Sequence, residues 1–393
     1  MLALITRCEI YTPEFAGKKD VLIGGGKILA VMDHWKDEMI SGSERVLNIL
    51  HVDGAGLRMV PGLIDSHVHV AGAGGEGGPA TRTGEIPLGE LLEGGVTSVV
   101  GCLGTDGITR DVTSVLMKTK ALREEGLSAW MYSGAYQVPP PTITGDPARD
   151  VALIEEVIGV GQIALSDHRS SGPSIRELIK LASEVRIAGM LSGKAGILNI
   201  HLGDAPNPFE PILQATSHSQ LPVKQFYPTH CNRNHEIFEA SKKYGKKGYL
   251  DLTTSSYAYF QDAEIKPSRA VRLLLEAAVP LEHITLSSDA NGSLPAFDKD
   301  GQLLHLERGK PGATLHELKD MVEEEGLPME QAVQTVATNV ARILKLKNKG
   351  RVESGYDADL LLINSDYEIS HLFAKGALMT EDYRITCKGY YDS

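Results

Sequence analysis

A chain of 393 residues exceeds one compact single-core domain of ordinary size, and only a large α/β barrel, with or without an appendage, accommodates it as one principal unit. Apolar residues at 42% and charged residues at 23% suffice for a core and exclude a disordered or fibrous chain. A formal charge of −12 argues against nonspecific binding to nucleic acid or to an anionic membrane, since both need surplus Lys and Arg.

Taken in chain order, "MLALITRCEIYTPEF" meets polar residues too soon for the apolar stretch of a secretion signal, and no later run reaches the length of a membrane span. A soluble cytoplasmic protein is expected. Residues 1 to about 58 alternate and are punctuated by glycine, with "DVLIGGGKILAVMD" the clearest hairpin. From about residue 60 to 345, short apolar runs alternate with longer helical patterns. The runs are "MVPGLIDSH", "GVTSVVGC", "LSAWMYSGAY", "VIGVGQIALSDH", "AGILNIHLG", "QFYPTH", "KGYLDLTTS" and "HITLSSDANGS". Between them, segments such as "DVTSVLMKTKALREEG" and "SRAVRLLLEAAVP" repeat apolar residues at three and four, as helices do. The tail returns to hairpin patterns in "ADLLLINSDYEISHLFAKGALM". The expected fold is therefore α/β: a (β/α)8 TIM-like barrel over 59–345, with a small β-sandwich domain built from both termini, 1–58 and 346–393. Four cysteines, Cys8, Cys102, Cys231 and Cys387, lack the CxxC spacing of a disulfide framework or a thiolate zinc site.

Barrel strands aim their C-terminal ends at one mouth, where chemistry is done. Run one ends in His67 and His69, two apart and so on the same face of a strand. Run five ends in His201, run six in His230 and run eight in Asp289. A single strand-end histidine is more often a hydrogen-bonded core residue, and His168, His218, His235 and His371 are placed in that class. Four histidines and an aspartate gathered at one end of one barrel point instead to a bound divalent ion such as zinc.

The "IDSHVHV" run, His201, His230 and "SSDANGS" resemble the amidohydrolase superfamily, and "GGGKILAV" and "GYDADLLLI" resemble the small β-domain of that family. More narrowly, "GTDGITRD", "SGAYQVPPPTITG", "SDHRS", "THCNRN" and "LSSDANGS" are similar to bacterial isoaspartyl dipeptidases. That resemblance implies a metallo-dipeptidase cutting β-aspartyl dipeptides, one or two zinc ions on His67, His69, His201, His230 and Asp289, and a homo-oligomer. It implies that Glu76 pairs with the substrate ammonium, Thr105 and Ser293 hold the aspartyl α-carboxylate, and Arg169 and Arg233 hold the carboxylate of the departing amino acid. A metal-bound hydroxide would attack the β-carbonyl, with Asp289 as base and then acid, and Tyr136 donating to the developing oxyanion.

One position departs from the family pattern. Where the resemblance implies a lysine carbamylated to bridge two metals, this chain has Gln162, whose amide cannot capture carbon dioxide. Without the carbamate, the formal charge of a two-metal centre rises from about +1 to about +2. Three outcomes stay open on the sequence: a loosened two-metal centre, a single metal on His67, His69 and Asp289, or a catalytically impaired relative that keeps the barrel as a scaffold. A cyclic-amide hydrolase of dihydroorotase or hydantoinase type is the alternative enzyme.

Overall fold

The computed structural model describes residues 2–35, 49–297 and 302–390. Its strands are β1 (Leu2–Tyr11), β2 (Phe15–Gly24), β3 (Lys27–Met32), β4 (Ile49–Asp53), β5 (Arg58–Pro61), β6 (Leu63–Val68), β7 (Val96–Gly101), β8 (Ser128–Ser133), β9 (Val157–Leu165) and β10 (Ile197–Leu202). These are followed by β11 (Phe226–Thr229), β12 (Leu250–Thr253), β13 (Ile284–Ser287), β14 (Ser293–Phe297), β15 (Leu303–Arg308), β16 (Leu360–Ile363), β17 (Ile369–Ala374), β18 (Ala377–Glu381) and β19 (Arg384–Ile385).

Each of the eight apolar runs holds one strand of this series, β6 to β13 in order, and the first run also takes in most of β5. Strands β6 to β11 pair as one parallel sheet in sequence order, and β12 and β13 form a further parallel pair. Every residue of β6, β7, β9 and β10 is buried, as parallel strands covered on both faces require. The curled sheet is linked to the pair at both edges. Cys231 N donates to Asp251 O (3.1 Å) on the β11 side. On the β6 side, His69 N donates to Ala290 O (2.9 Å) and Ser288 N to the Asp65 carboxylate (3.1 Å). Helices fill the crossovers. That over Ile175–Ser192 is the longest, opened by a reciprocal Ser174–Glu177 cap and closed by left-handed Gly193.

The termini share one nine-stranded sheet, in the order β19-β18-β17-β16-β5-β1-β2-β3 with β4 on β1. The join is β5 against β16, with Val60 opposite Leu361. Both termini thus contribute to one hydrogen-bonded sheet, a β-rich region separate from the curled parallel sheet. It encloses its own core of Ile5, Ile10, Val21, Ile28, Met59, Leu360 and Phe373. Buried Lys349 ties the two regions, bonding Asp359 (2.5 Å) in the tail and Ser128 (2.6 Å) at the start of β8. No helix among the described residues is long and apolar enough to cross a membrane.

Candidate metal centre and active-site mouth

The C-terminal ends of β6 to β13, with the β14–β15 hairpin above them, border a cavity of about 1110 Å³. His69, Thr105, Tyr136, Gln162, Arg169, His201, His230, Arg233, Asp289 and Ser293 all line it. Three strand ends turn with non-glycine residues in the left-handed region: Ser166 (φ 59°) after β9, His230 (φ 64°) after β11 and Asp289 (φ 55°) after β13. Such backbone is held against its local preference by surrounding bonds and collects at functional sites. Two glycines make room. A Cβ on Gly104 would lie 2.8 Å from His69 Cε1, and one on Gly292 would lie 2.5 Å from Asp289 Oδ1.

On one side of the mouth, donor atoms converge. Asp289 Oδ1 lies 3.0 Å from His69 Nε2 and 3.4 Å from His67 Nε2. Gln162 Nε2 is 2.5 Å from His67 Nε2 and 3.3 Å from His69 Nε2. His67, His230 and Asp289 offer ligand atoms all within 4.8 Å of one another, and His67, His69 and Cys102 form a second such group. The Nδ1 atoms of His67 and His69 and Oε1 of Gln162 are buried with no hydrogen-bond partner among the described residues. Burial lowers His67 to about 4 against the opposing pull of Asp289, and lowers His230 well below its ordinary range. Both rings are neutral at pH 7, the form that binds a metal. Burial also works to raise Asp289, but its close neighbours His67 and His69, the latter through a hydrogen bond, outweigh it and hold the carboxyl below its ordinary range. A neutral, converging nitrogen set around one carboxylate fits a divalent ion.

On the other side the groups are already paired. His201 Nε2 lies 2.9 Å from Asp167 Oδ2, and its Nδ1 is 2.8 Å from Tyr136 OH. Its ring stands 4.6 Å from that of His230, yet its nitrogens turn to protein partners rather than toward Asp289. Arg169 grips Asp167 with two bonds (3.0 and 2.8 Å), reaches Thr105 Oγ1 (3.3 Å) and lies 3.6 Å from Glu76. Burial works to raise Asp167, but bonds from His201 and Arg169 overcome it and hold the carboxyl far below the usual range. Ser293 Oγ donates to Glu76 Oε1 (2.8 Å), so two residues expected on different substrate groups meet each other. Arg233 pairs with Asp204 (3.2 Å) and extends toward His201 Nε2 (3.4 Å).

All the expected site residues thus come together, and the structure adds some that the sequence reading passed over. Asp167 stands just past the end of β9, the same strand-end signal that singled out Asp289. Beneath the mouth, Asp65 holds Ser288 N and His67 N through Oδ1, and Ser288 Oγ donates to its other oxygen. Asp251 accepts from Thr229, Thr285 and Ser287 (2.7, 2.8 and 2.5 Å). Arg110 clamps the glycine loop that carries Glu76, donating to the carbonyls of Ala71, Ala73 and Thr83 (2.7, 3.0 and 2.7 Å).

A curled parallel sheet whose strand ends carry a histidine-aspartate cluster able to hold a metal ion defines the class of site, and comparison with known proteins specifies the family. Residues 219–379 match the model of the amidohydrolase family. A β-aspartyl dipeptidase from Fervidobacterium islandicum AW-1, solved with β-Asp-Leu, is 38% identical, covers 98% of this chain and 99% of its own, and superposes with a TM-score of 0.90. A dihydropyrimidinase from Brevibacillus agri shares the fold at 14% identity, 99% and 97% coverage and a TM-score of 0.68. Among sequence relatives, an allantoinase from Deinococcus radiodurans is 24% identical over 92% of this chain and 86% of its own. The chain belongs to the amidohydrolase superfamily, grouping there with the β-aspartyl dipeptidases, and is a hydrolase.

Proposed function

We propose that this chain hydrolyses the β-aspartyl peptide bond of small dipeptides, with a divalent ion, zinc by preference, at the mouth of the sheet. The observation that carries the reading is the end-to-end likeness, at 38% identity, to an enzyme solved with β-Asp-Leu. The residues that would hold the ion are His67, His69, His230 and Asp289, with His201, whose ring stands 4.6 Å from that of His230, beside them. Such an ion lowers the pKa of water toward neutrality and polarises a carbonyl oxygen.

The chain's own groups supply the rest. Asp289, ionised in its buried site, takes a proton on its carboxylate and delivers it to the departing amine. Burial pushes the Tyr136 phenol above its usual range, so it keeps its proton and donates to developing negative charge. Glu76, whose Oε2 is buried without a partner, receives the substrate ammonium. Thr105 and Ser293 hold the aspartyl α-carboxylate, and Arg169 and Arg233 hold that of the departing residue. The eight strands β6 to β13 close as a (β/α)8 barrel over 59–345. The terminal segments, 1–58 and 346–393, curl as a β-sandwich domain. A cytoplasmic homo-oligomer with no nucleic-acid or membrane partner completes the reading.

The test is turnover by metal-stripped and zinc-loaded protein of β-Asp-Leu, its α-linked isomer and a dihydropyrimidine. Zinc-dependent cleavage of the β-linked dipeptide alone is expected. Opening of the dihydropyrimidine with β-Asp-Leu left intact would instead establish a cyclic-amide hydrolase.

A further inference from the structure

The proposed metal centre is short of negative charge on one side. Its histidines and Asp289 include a single acid, and Gln162 brings only a neutral amide beside His67 and His69. For one divalent ion, Asp289 by itself leaves about one unit of positive charge, which a water-derived hydroxide or a second anionic ligand would cancel.

The second group of ligand atoms supplies that anion. Cys102 follows β7 directly and is fully buried, its amide donating to Val68 O (3.0 Å). This bond fixes it beside the end of β6, where His67 and His69 stand on either side of Val68. Its sulfur lies within 4.8 Å of a ring nitrogen of each. Of the four cysteines, Cys102 is the one found in such a group among the described residues. The Nδ1 atoms of both histidines and Oε1 of Gln162 have no protein partner there, although all are buried.

We propose that Cys102 is a metal ligand, forming with His67 and His69 a two-nitrogen, one-sulfur site for a zinc-like ion in which its thiolate provides the charge that Gln162 lacks. This rests on the metal-dependent reading above and adds a ligand to it. On binding, the Sγ–H bond breaks, the proton passes to solvent and the sulfur electron pair goes to the cation, with no oxidant or reductant. Sulfur suits zinc better than magnesium or calcium, which take oxygen. Gln162 then has a function as well. Its Nε2 lies 3.6 Å from Cys102 Sγ and donates to it, an outer partner that orients the ligand and stabilises its charge.

Zinc-edge X-ray absorption on the full zinc-loaded chain tests this directly. A sulfur neighbour at about 2.3 Å is expected, against nitrogen and oxygen at about 2.0–2.2 Å. Cys102→Ser removes the sulfur signal and weakens zinc binding by on the order of 100-fold, while Cys231→Ser retains both. Cobalt-loaded protein shows a near-ultraviolet thiolate-to-metal band that Cys102→Ser abolishes. Bound zinc with only nitrogen and oxygen neighbours overturns the inference and leaves the dipeptidase reading intact. Failure to take up any metal overturns both the inference and the metal-dependent reading. The spectrum of the unaltered chain decides the matter even where Cys102→Ser does not fold.

Discussion

His67 and His201 sit near the ends of β6 and β10 in the same curled sheet, both buried and both lowered to about 4 by that burial. Their surroundings differ. Around His67 the second nitrogen is unpartnered, Asp289 and Gln162 crowd the first, and a thiol stands nearby. Around His201 each nitrogen has a partner, and its acid, Asp167, is itself held by both prongs of Arg169. Buried polar atoms without protein partners are costly, so the first arrangement marks where a ligand contributes the missing bonds. The second is a finished network, suited to fixing the positions of Arg169 and Tyr136 before substrate arrives.

Substitutions on each side should break that comparison in different ways. The largest effect falls on the converging side: Asp289→Asn should lower turnover of β-Asp-Leu by roughly 10²–10⁴-fold, the range for a lost acid-base group. A rate within tenfold of the parent would remove Asp289 from the chemistry. Next, Asp167→Asn should cut kcat/KM by roughly 10- to 100-fold, since bonds to charged groups are each worth about 1.5–3 kcal/mol. The metal content measured by elemental analysis should persist, because Asp167 belongs to the satisfied side; loss of metal would show that the two sides are one unit. Arg233→Lys should raise KM by about tenfold with kcat nearly unchanged, as a planar fork gives way to a point charge. An equal fall in kcat would place Arg233 in the reaction rather than in binding.

The smallest effect concerns the floor shared by both sides. Burial raises Asp251 to about 6, against hydrogen bonds from Ser287, Thr229, Thr285 and Tyr227 that pull it down. The folded state therefore holds this proton more tightly than the unfolded chain. That stabilisation is complete below about pH 4 and is lost as pH rises through about 6. Asp251→Asn should flatten the pH dependence of Tm between about pH 4 and 7. An unchanged slope would show that the carboxyl does not titrate there.

Much of this protein was legible in one dimension. Continuous apolar runs located all eight strands β6 to β13, because a parallel strand covered on both faces needs apolar residues throughout. The two-residue spacing of His67 and His69 and the strand-end placement of His201, His230 and Asp289 put them at one mouth, because side chains alternate along strands and strand ends converge. Gln162 was visible as an oddity. The sequence spacing of the cysteines, however, argued against any thiolate ligand. Cys102 comes near His67 only because β6 and β7 are neighbours, and its partner Gln162 lies two strands further on, 60 residues along the chain.

Tertiary structure alone decided the pairings. That Asp167 claims His201, that Ser293 meets Glu76, and that β5 joins β16 so the two termini form one sheet are matters of distance between segments far apart in the chain. Periodicity and strand-end position are local properties, set by backbone geometry within a few residues. Which side chains touch across the mouth depends on how the sheet curls and where each strand end turns, as at the left-handed His230 and Asp289, and no short stretch of sequence encodes that.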